Sequence, residues 1–227
     1  METRDLAGEG QRLRARYTLA LAVVHVVAVL AGILVSWVMA GERFPSPFVP
    51  RPSADAYFIA HPAALMVLGF FQLFAAMPLG AFAASLATDM RSLGAADRTV
   101  HLTLFAGIGA SVFQAAAGCA LWVISQPGVA EIPAVTRPLH LFSFAAGGPA
   151  CLASLGVLVA VVTASGRNRG LPQWLKRAGD ATAAAALLSI VTLVGFGGVY
   201  LALIARLACL AWMIAVAVFL CRDRAAA

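Results

Sequence analysis

Residues 17–40 read YTLALAVVHVVAVLAGILVSWVMA, and the twenty-four positions from Tyr17 to Ala40 hold no Asp, Glu, Lys or Arg. A bilayer core of about 30 Å is crossed by roughly 20 apolar residues in a helix. Inside lipid, only a helix or a closed barrel satisfies its own backbone polar groups. Arg12, Arg14 and Arg16 stand just before the run. Val38 and Ala40 would suit a small-residue cleavage site, but the apolar part of a secretory signal spans about 7–15 residues. The run is therefore predicted to be a retained transmembrane helix.

The rest of the chain repeats this texture. Of 227 residues, 62% are hydrophobic and 11% charged, and the mean hydropathy is +0.90. Soluble domains carry about 25% charged residues, so too few charges are present to cover a water-facing globule. Sustained alternation over the roughly ten residues of a barrel strand is absent. Predicted spans fall at about 17–40, 57–87, 100–125, 139–165, 178–197 and 202–221. The fold expected is all-α: one transmembrane domain, 1–227, a polytopic bundle of about six helices.

Prolines and glycines divide the spans. Pro45, Pro47, Pro50 and Pro52 predict a stiff, non-helical loop over 41–56. A polar turn is expected from Thr88 to Arg98, and Gln126-Pro127-Gly128 closes the third span. Pro78 and Gly147-Gly148-Pro149 predict kinks inside the second and fourth spans. The stretch from Ala178 to Leu220 is too long for one crossing, and Gly195-Phe196-Gly197-Gly198 supplies the break. Leu171 to Arg177 is expected along the interface, with Trp174 at headgroup depth.

Basic residues set the orientation. With the N-terminus inside, twelve of the sixteen fall on the cytoplasmic side: Arg4, Arg12, Arg14, Arg16, Arg91, Arg98, Arg167, Arg169, Lys176, Arg177, Arg222 and Arg224. Arg43, Arg51, Arg137 and Arg206 fall outside. Positive charge is retained inside, so both termini are expected in the cytoplasm. The net charge of +6 is scattered over helix ends and forms no single patch, which argues against nucleic acid as a partner.

The polar groups within the spans carry what functional signal there is. Gln72 and Gln114 are deep amides whose donors and acceptors need partners. Helix–helix bonding accounts for them without any ligand, and such bonds contribute on average about 0.6 kcal/mol in a membrane. With Pro78 and Pro149 they also make a candidate ligand pocket, since kinked helices around buried amides form such sites. The four histidines, His25, His61, His101 and His140, divide two to each predicted leaflet. Facing imidazoles can ligate haem iron, but no span holds two histidines, and three of the four sit at predicted helix starts where polar residues are ordinary. Haem b is thus an alternative to the expectation of no cofactor. Cys119, Cys151, Cys209 and Cys221 form no Cys-x-x-Cys pair and suit packing. No nucleophile–base set, zinc-protease motif or phosphate loop occurs, so no catalytic residue is assigned.

A likeness then emerges. Phe70-Phe71-Gln72-Leu73-Phe74-Ala75-Ala76-Met77-Pro78-Leu79-Gly80, Ser125-Gln126-Pro127-Gly128-Val129-Ala130, Phe144-Ala145-Ala146-Gly147-Gly148-Pro149 and the tail from Arg206 through Trp212 to Leu220 resemble a group of uncharacterised bacterial multi-pass proteins, a domain of unknown function. The resemblance implies a six-helix bacterial inner-membrane protein and carries over no activity or catalytic residue. The function expected is a non-enzymatic binding, sensing or partner-modulating bundle, whose partners are the lipid bilayer and a small apolar or amphipathic ligand or another membrane protein. A small-molecule transporter or permease subunit and a haem-binding redox protein are the alternatives.

The charge bias makes a direct prediction. Reporter fusions in residues 41–48 will read as external and fusions in residues 170–172 as cytoplasmic; a cytoplasmic reading from the first position overturns the orientation.

Overall fold

The computed structural model of the chain describes residues 2–48, 51–166, 170–194 and 198–226. Among the described residues it is all helical, with no strand. The helices are α1 Glu2–Ala40, α2 Arg51–Ala60, α3 Pro62–Ser92, α4 Asp97–Ile124, α5 Pro133–Ala145, α6 Cys151–Gly166, α7 Gln173–Leu188 and α8 Gly198–Ala226. A π-helical turn, Ala146–Ala150, joins α5 to α6, and a 3₁₀ turn, Ser189–Leu193, extends α7. Five stretches are long and apolar enough to cross a membrane: Arg12–Ala40, Pro62–Ser92, Asp97–Ile124, Pro133–Gly166 and Val199–Asp223. The exterior is apolar as well: Val38 is 71% exposed, Phe105 75% and Tyr200 77%. A surface of this kind is stable against lipid and would aggregate in water. The chain is a helical bundle of membrane-protein character.

Several boundaries differ from the sequence reading, each for a local reason. The segment expected as loop through residue 56 turns helical at Arg51, because Pro52 falls in the first turn, where a missing N–H costs nothing. Pro62 opens α3 in the same way. The residue before a proline is pushed out of the helical region, so His61 becomes a corner (φ −126°, ψ 49°) that separates α2 from α3. The second expected span therefore starts at Pro62 instead of Tyr57. At its other end α3 runs on to Ser92 through part of the expected polar turn. It stops at Gly94, whose φ of 77° suits a glycine, and the Ala95 N–H reaches back to the Met90 carbonyl. The fourth helical stretch begins at Pro133, earlier than expected. The glycine break at 195–197, together with Arg167, Arg169 and Pro50, lies outside the described residues.

The main core joins α3, α4, α6, α7 and α8 through Leu79, Phe82, Ala106, Leu158, Leu175 and Met213. A smaller cluster, which includes Phe58, Leu65, Leu121 and Ile124, closes the end of the bundle that carries the 41–48 linker. That end is called the linker end below. Lipid tails are as apolar as the side chains, so helices hold together by close packing of small residues more than by expulsion of water. At Gly69 and Gly118 two helices meet main chain to main chain. A Cβ on Gly118 would lie 2.7 Å from the Gly69 carbonyl oxygen and 2.8 Å from the Leu73 amide nitrogen, both main-chain atoms.

Gly118→Ala is therefore expected to destabilise by about 1–3 kcal/mol, a melting-temperature loss of about 2–10 °C in detergent. At Gly109 the added carbon meets first the rotatable Ser154 hydroxyl, at 3.3 Å. Gly109→Ala should leave the melting temperature unchanged or raise it, and equal losses in the two variants would discount the α3–α4 contact.

Candidate functional site

Two prolines open helices in the membrane region, and the buried polar side chains gather at those places. Pro78 lies inside α3 and has no N–H for the carbonyl one turn back. Around that turn three side chains donate to α3 carbonyls. Ser111 Oγ bonds the Ala76 oxygen at 2.6 Å, His25 Nδ1 bonds the Ala75 oxygen at 2.9 Å, and Gln114 Nε2 bonds the Gln72 oxygen at 3.4 Å. The Cys151 thiol approaches Gln114 Oε1 at 4.0 Å. Both His25 and Gln114 are 1% exposed.

The second opening is the π turn before Cys151. Gly148 has non-helical angles (φ −93°, ψ −105°). The Cys151 N–H contacts the Ala146 and Gly148 carbonyls and passes over that of Gly147. The Arg206 guanidinium takes its place: Nη2 donates to the Gly147 oxygen at 2.7 Å and approaches Cys151 Sγ at 3.8 Å. Among the described residues no carboxylate forms an ion pair with Arg206. An ionised group in the apolar part of a bundle marks a functional position by default.

Beside this turn lies a cavity of about 600 Å³ at the linker end, within the roughly 300–1,000 Å³ range of small-molecule sites. Its walls are Ile33, Ser36 and Trp37 of α1, Leu68 and Gln72 of α3, Ala117 and Leu121 of α4, Ser143, Phe144, Gly147 and Gly148 around the π turn, and Leu203 of α8. Arg43 and Phe44 of the linker complete it. The hydroxyls in the wall are turned away: Ser36 Oγ bonds Ile33 of its own helix, at 3.1 Å, and Ser143 Oγ bonds the Ala117 oxygen at 3.4 Å. Gln72 Oε1 is buried without any hydrogen-bond partner.

An aromatic cluster pins the linker over this cavity. Phe44 lies edge-on to Tyr57 at 5.8 Å and to His140 at 5.4 Å, and His140 Nε2 contacts the Pro45 carbonyl at 3.2 Å. His61 Nε2 and Glu42 Oε1 are 3.0 Å apart. Burial, and then the charge of Glu42, push the Tyr57 phenol above its ordinary pKa, so it stays neutral at physiological pH.

Of the residues singled out in the sequence, Gln72 lines the cavity. Gln114 sits one layer beneath it and holds α3. Pro149 shapes the wall from within the π turn, while Pro78 is buried further along α3. The structure brings His61 and His140 to the linker end, sets His25 alone against α3, and leaves His101 exposed on α4. Among the described residues no group of three or more His, Cys, Asp or Glu could hold a metal ion. Arg43 escaped the sequence reading because loop arginines were read only as orientation signals. A second site was missed too: Asp89, 1% exposed, accepts from Thr18 Oγ1 at 2.9 Å, and that hydroxyl lies 2.5 Å from Ser85 Oγ. The signal was the spacing of Ser85 and Asp89, which puts both on one helical face.

Comparison of the chain with protein-family models, with curated proteins and with solved structures found no match. Its chemistry is therefore argued from its own residues.

Arg206→Met leaves the Gly147 carbonyl without its donor and is expected to cost about 1–3 kcal/mol, read as a lower melting temperature in detergent. Arg206→Lys can still make one charge-assisted bond and should lose less. A Met variant as stable as the parent would show that the bond does not hold the π turn.

Proposed function

We propose that the chain is a bacterial inner-membrane protein of six spans with both termini cytoplasmic, and that it works as a non-enzymatic bundle which binds a small apolar or amphipathic molecule in the linker-end cavity. The observation that carries this reading is the cavity itself, apolar over most of its wall, with the partnerless Gln72 Oε1 at its side. An unpaired buried acceptor costs about 1–3 kcal/mol, and a ligand donor would recover that cost.

The sixth span is supported by length. Neither α7 nor the 3₁₀ turn alone crosses a bilayer, but the 11 residues of α7 beyond Arg177 and the 5 of the turn run consecutively. At about 1.5 Å and 2.0 Å per residue they cover roughly 27 Å, close to a core of about 30 Å. The twelve-to-four distribution of basic residues supports the orientation. The absence of enzymatic activity is proposed because most deep polar side chains are hydrogen-bonded to main chain, and the hydroxyl–carboxylate contact of Thr18 and Asp89 is buried and outside the cavity lining.

The test is a thermal-shift survey of the purified chain with twelve-carbon amphiphiles bearing cationic, neutral and anionic head groups. Gly148 lines the cavity, and a Cβ built on it meets nothing within 4 Å, so Gly148→Leu fills the space. At a hundredfold excess over Kd, a bound amphiphile is expected to raise the melting temperature of the parent by about 5–10 °C and to leave Gly148→Leu unmoved. Equal shifts in both proteins, or none in the parent, would overturn the proposal.

A further inference from the structure

The wall of the cavity says more about its occupant than its volume does. Arg43 is the one charged residue in the lining, and no carboxylate is present there. Among the described residues Arg43 has no ion pair; the neighbouring carboxylate, Glu42, faces His61 at 3.0 Å. The second guanidinium nearby, Arg206, is bonded to the cavity residue Gly147 and also lacks a carboxylate. The lining itself is therefore positive, with the carboxylates of Glu42 and Asp55 close to Tyr57 and His140 behind Phe44 but outside the lining, and a guanidinium fork matches a phosphate.

Position adds a second constraint. The helix α1 ends at Ala40, and Arg43 follows in the linker, which Phe44 fixes by its edge-on contacts to Tyr57 and His140. From Ala40 down to Ile33 the wall descends about 10 Å along α1. The charge is thus at the rim and the apolar surface beneath it, which is the layout of a phospholipid. Access is a third. Ile33, Trp37 and Leu203 line the cavity and are at the same time 48%, 50% and 56% exposed on the outside of the bundle. The cavity is continuous with the surface that faces lipid, so an occupant comes sideways from the bilayer.

We infer that the cavity takes one acyl chain of an anionic phospholipid from the surrounding leaflet, with the phosphate held by Arg43. This rests on the reading of the cavity as a ligand site and names the class of ligand.

The experiment is native mass spectrometry of the full chain in detergent with equimolar phosphatidylglycerol and phosphatidylcholine of identical chains. The parent should retain phosphatidylglycerol about tenfold over phosphatidylcholine: both present a phosphate, but the choline cation of the second offsets its attraction to Arg43. Arg43→Gln should bring the ratio to about one and lower the retention of both lipids, since both lose the contact to their phosphate. Arg137→Gln, a second exposed cation near this end, should leave the ratio unchanged. Gly148→Leu should remove both lipids; if it does not fold, Leu203→Trp on the exposed wall takes its place. Equal retention in the parent, or a preference that survives Arg43→Gln, overturns the anionic assignment while leaving the cavity reading intact. Retention of both lipids at parental level in the filled variant overturns the cavity reading itself.

Discussion

In lipid there is no water to satisfy a polar main-chain group, and everything polar in this bundle follows from that constraint. Two helices are opened by proline, α3 at Pro78 and the α5–α6 stretch at Pro149. Near each opening neighbouring helices donate to main-chain carbonyls: His25 from α1 and Ser111 and Gln114 from α4 to Ala75, Ala76 and Gln72, and Arg206 from α8 to Gly147. The deep polar residues are thus mostly cross-helix ties to carbonyls. Once those ties are made, the buried side-chain atoms left without a partner among the described residues are Gln72 Oε1 and Thr163 Oγ1, and the first belongs to a residue of the cavity whose rim carries Arg43.

The fold class was legible because lipid imposes a crude requirement, about 20 apolar residues per crossing, that composition reports directly. Helix ends were less legible because proline has two meanings. Inside a helix it breaks the ladder, and in the first turn it starts one. Pro52 and Pro62 are starters, so the expected loop contains α2, and the second span begins at a corner on His61. Polar composition misled in the same way at Thr88 to Ser92. Those residues stay helical, since Asp89 is turned inward onto Thr18. The break expected at Gly195-Phe196-Gly197-Gly198 lies largely outside the described residues, and the helix before it ends in the 3₁₀ turn Ser189–Leu193.

The site was half legible. Gln72 stands out in any reading, since an amide in an apolar run needs a partner, and it does line the cavity. Gln114 sends the same signal, yet its amide serves the α3 carbonyl. Sequence alone does not distinguish the two, because what separates them is which face of each helix meets a neighbour. Arg43 carried no signal at all. A loop arginine after a span is an orientation marker first, and it becomes part of a site only because Phe44 beside it is pinned to His140, far along the chain.

The cavity and the tight packing of the bundle have one cause. Small residues let α3 and α4 meet at Gly69 and Gly118, and they let Gly147 approach Ala117, where an added Cβ would lie 2.8 Å from the alanine's. The adjoining Gly148 has nothing within reach of a Cβ, because the π turn swings the main chain away from the helix path there. The residue type that draws helices together thus leaves a gap wherever the backbone departs from the regular spiral. An empty gap forfeits dispersion contacts along its whole lining. When its rim faces lipid, the nearest available filler is an acyl chain, which needs no recognition to enter. Selectivity then has to come from the few polar atoms at the rim. In this bundle the charge at the rim is a guanidinium held in place by the linker, and on the proposed reading it makes a selective site of what would otherwise be a defect in packing.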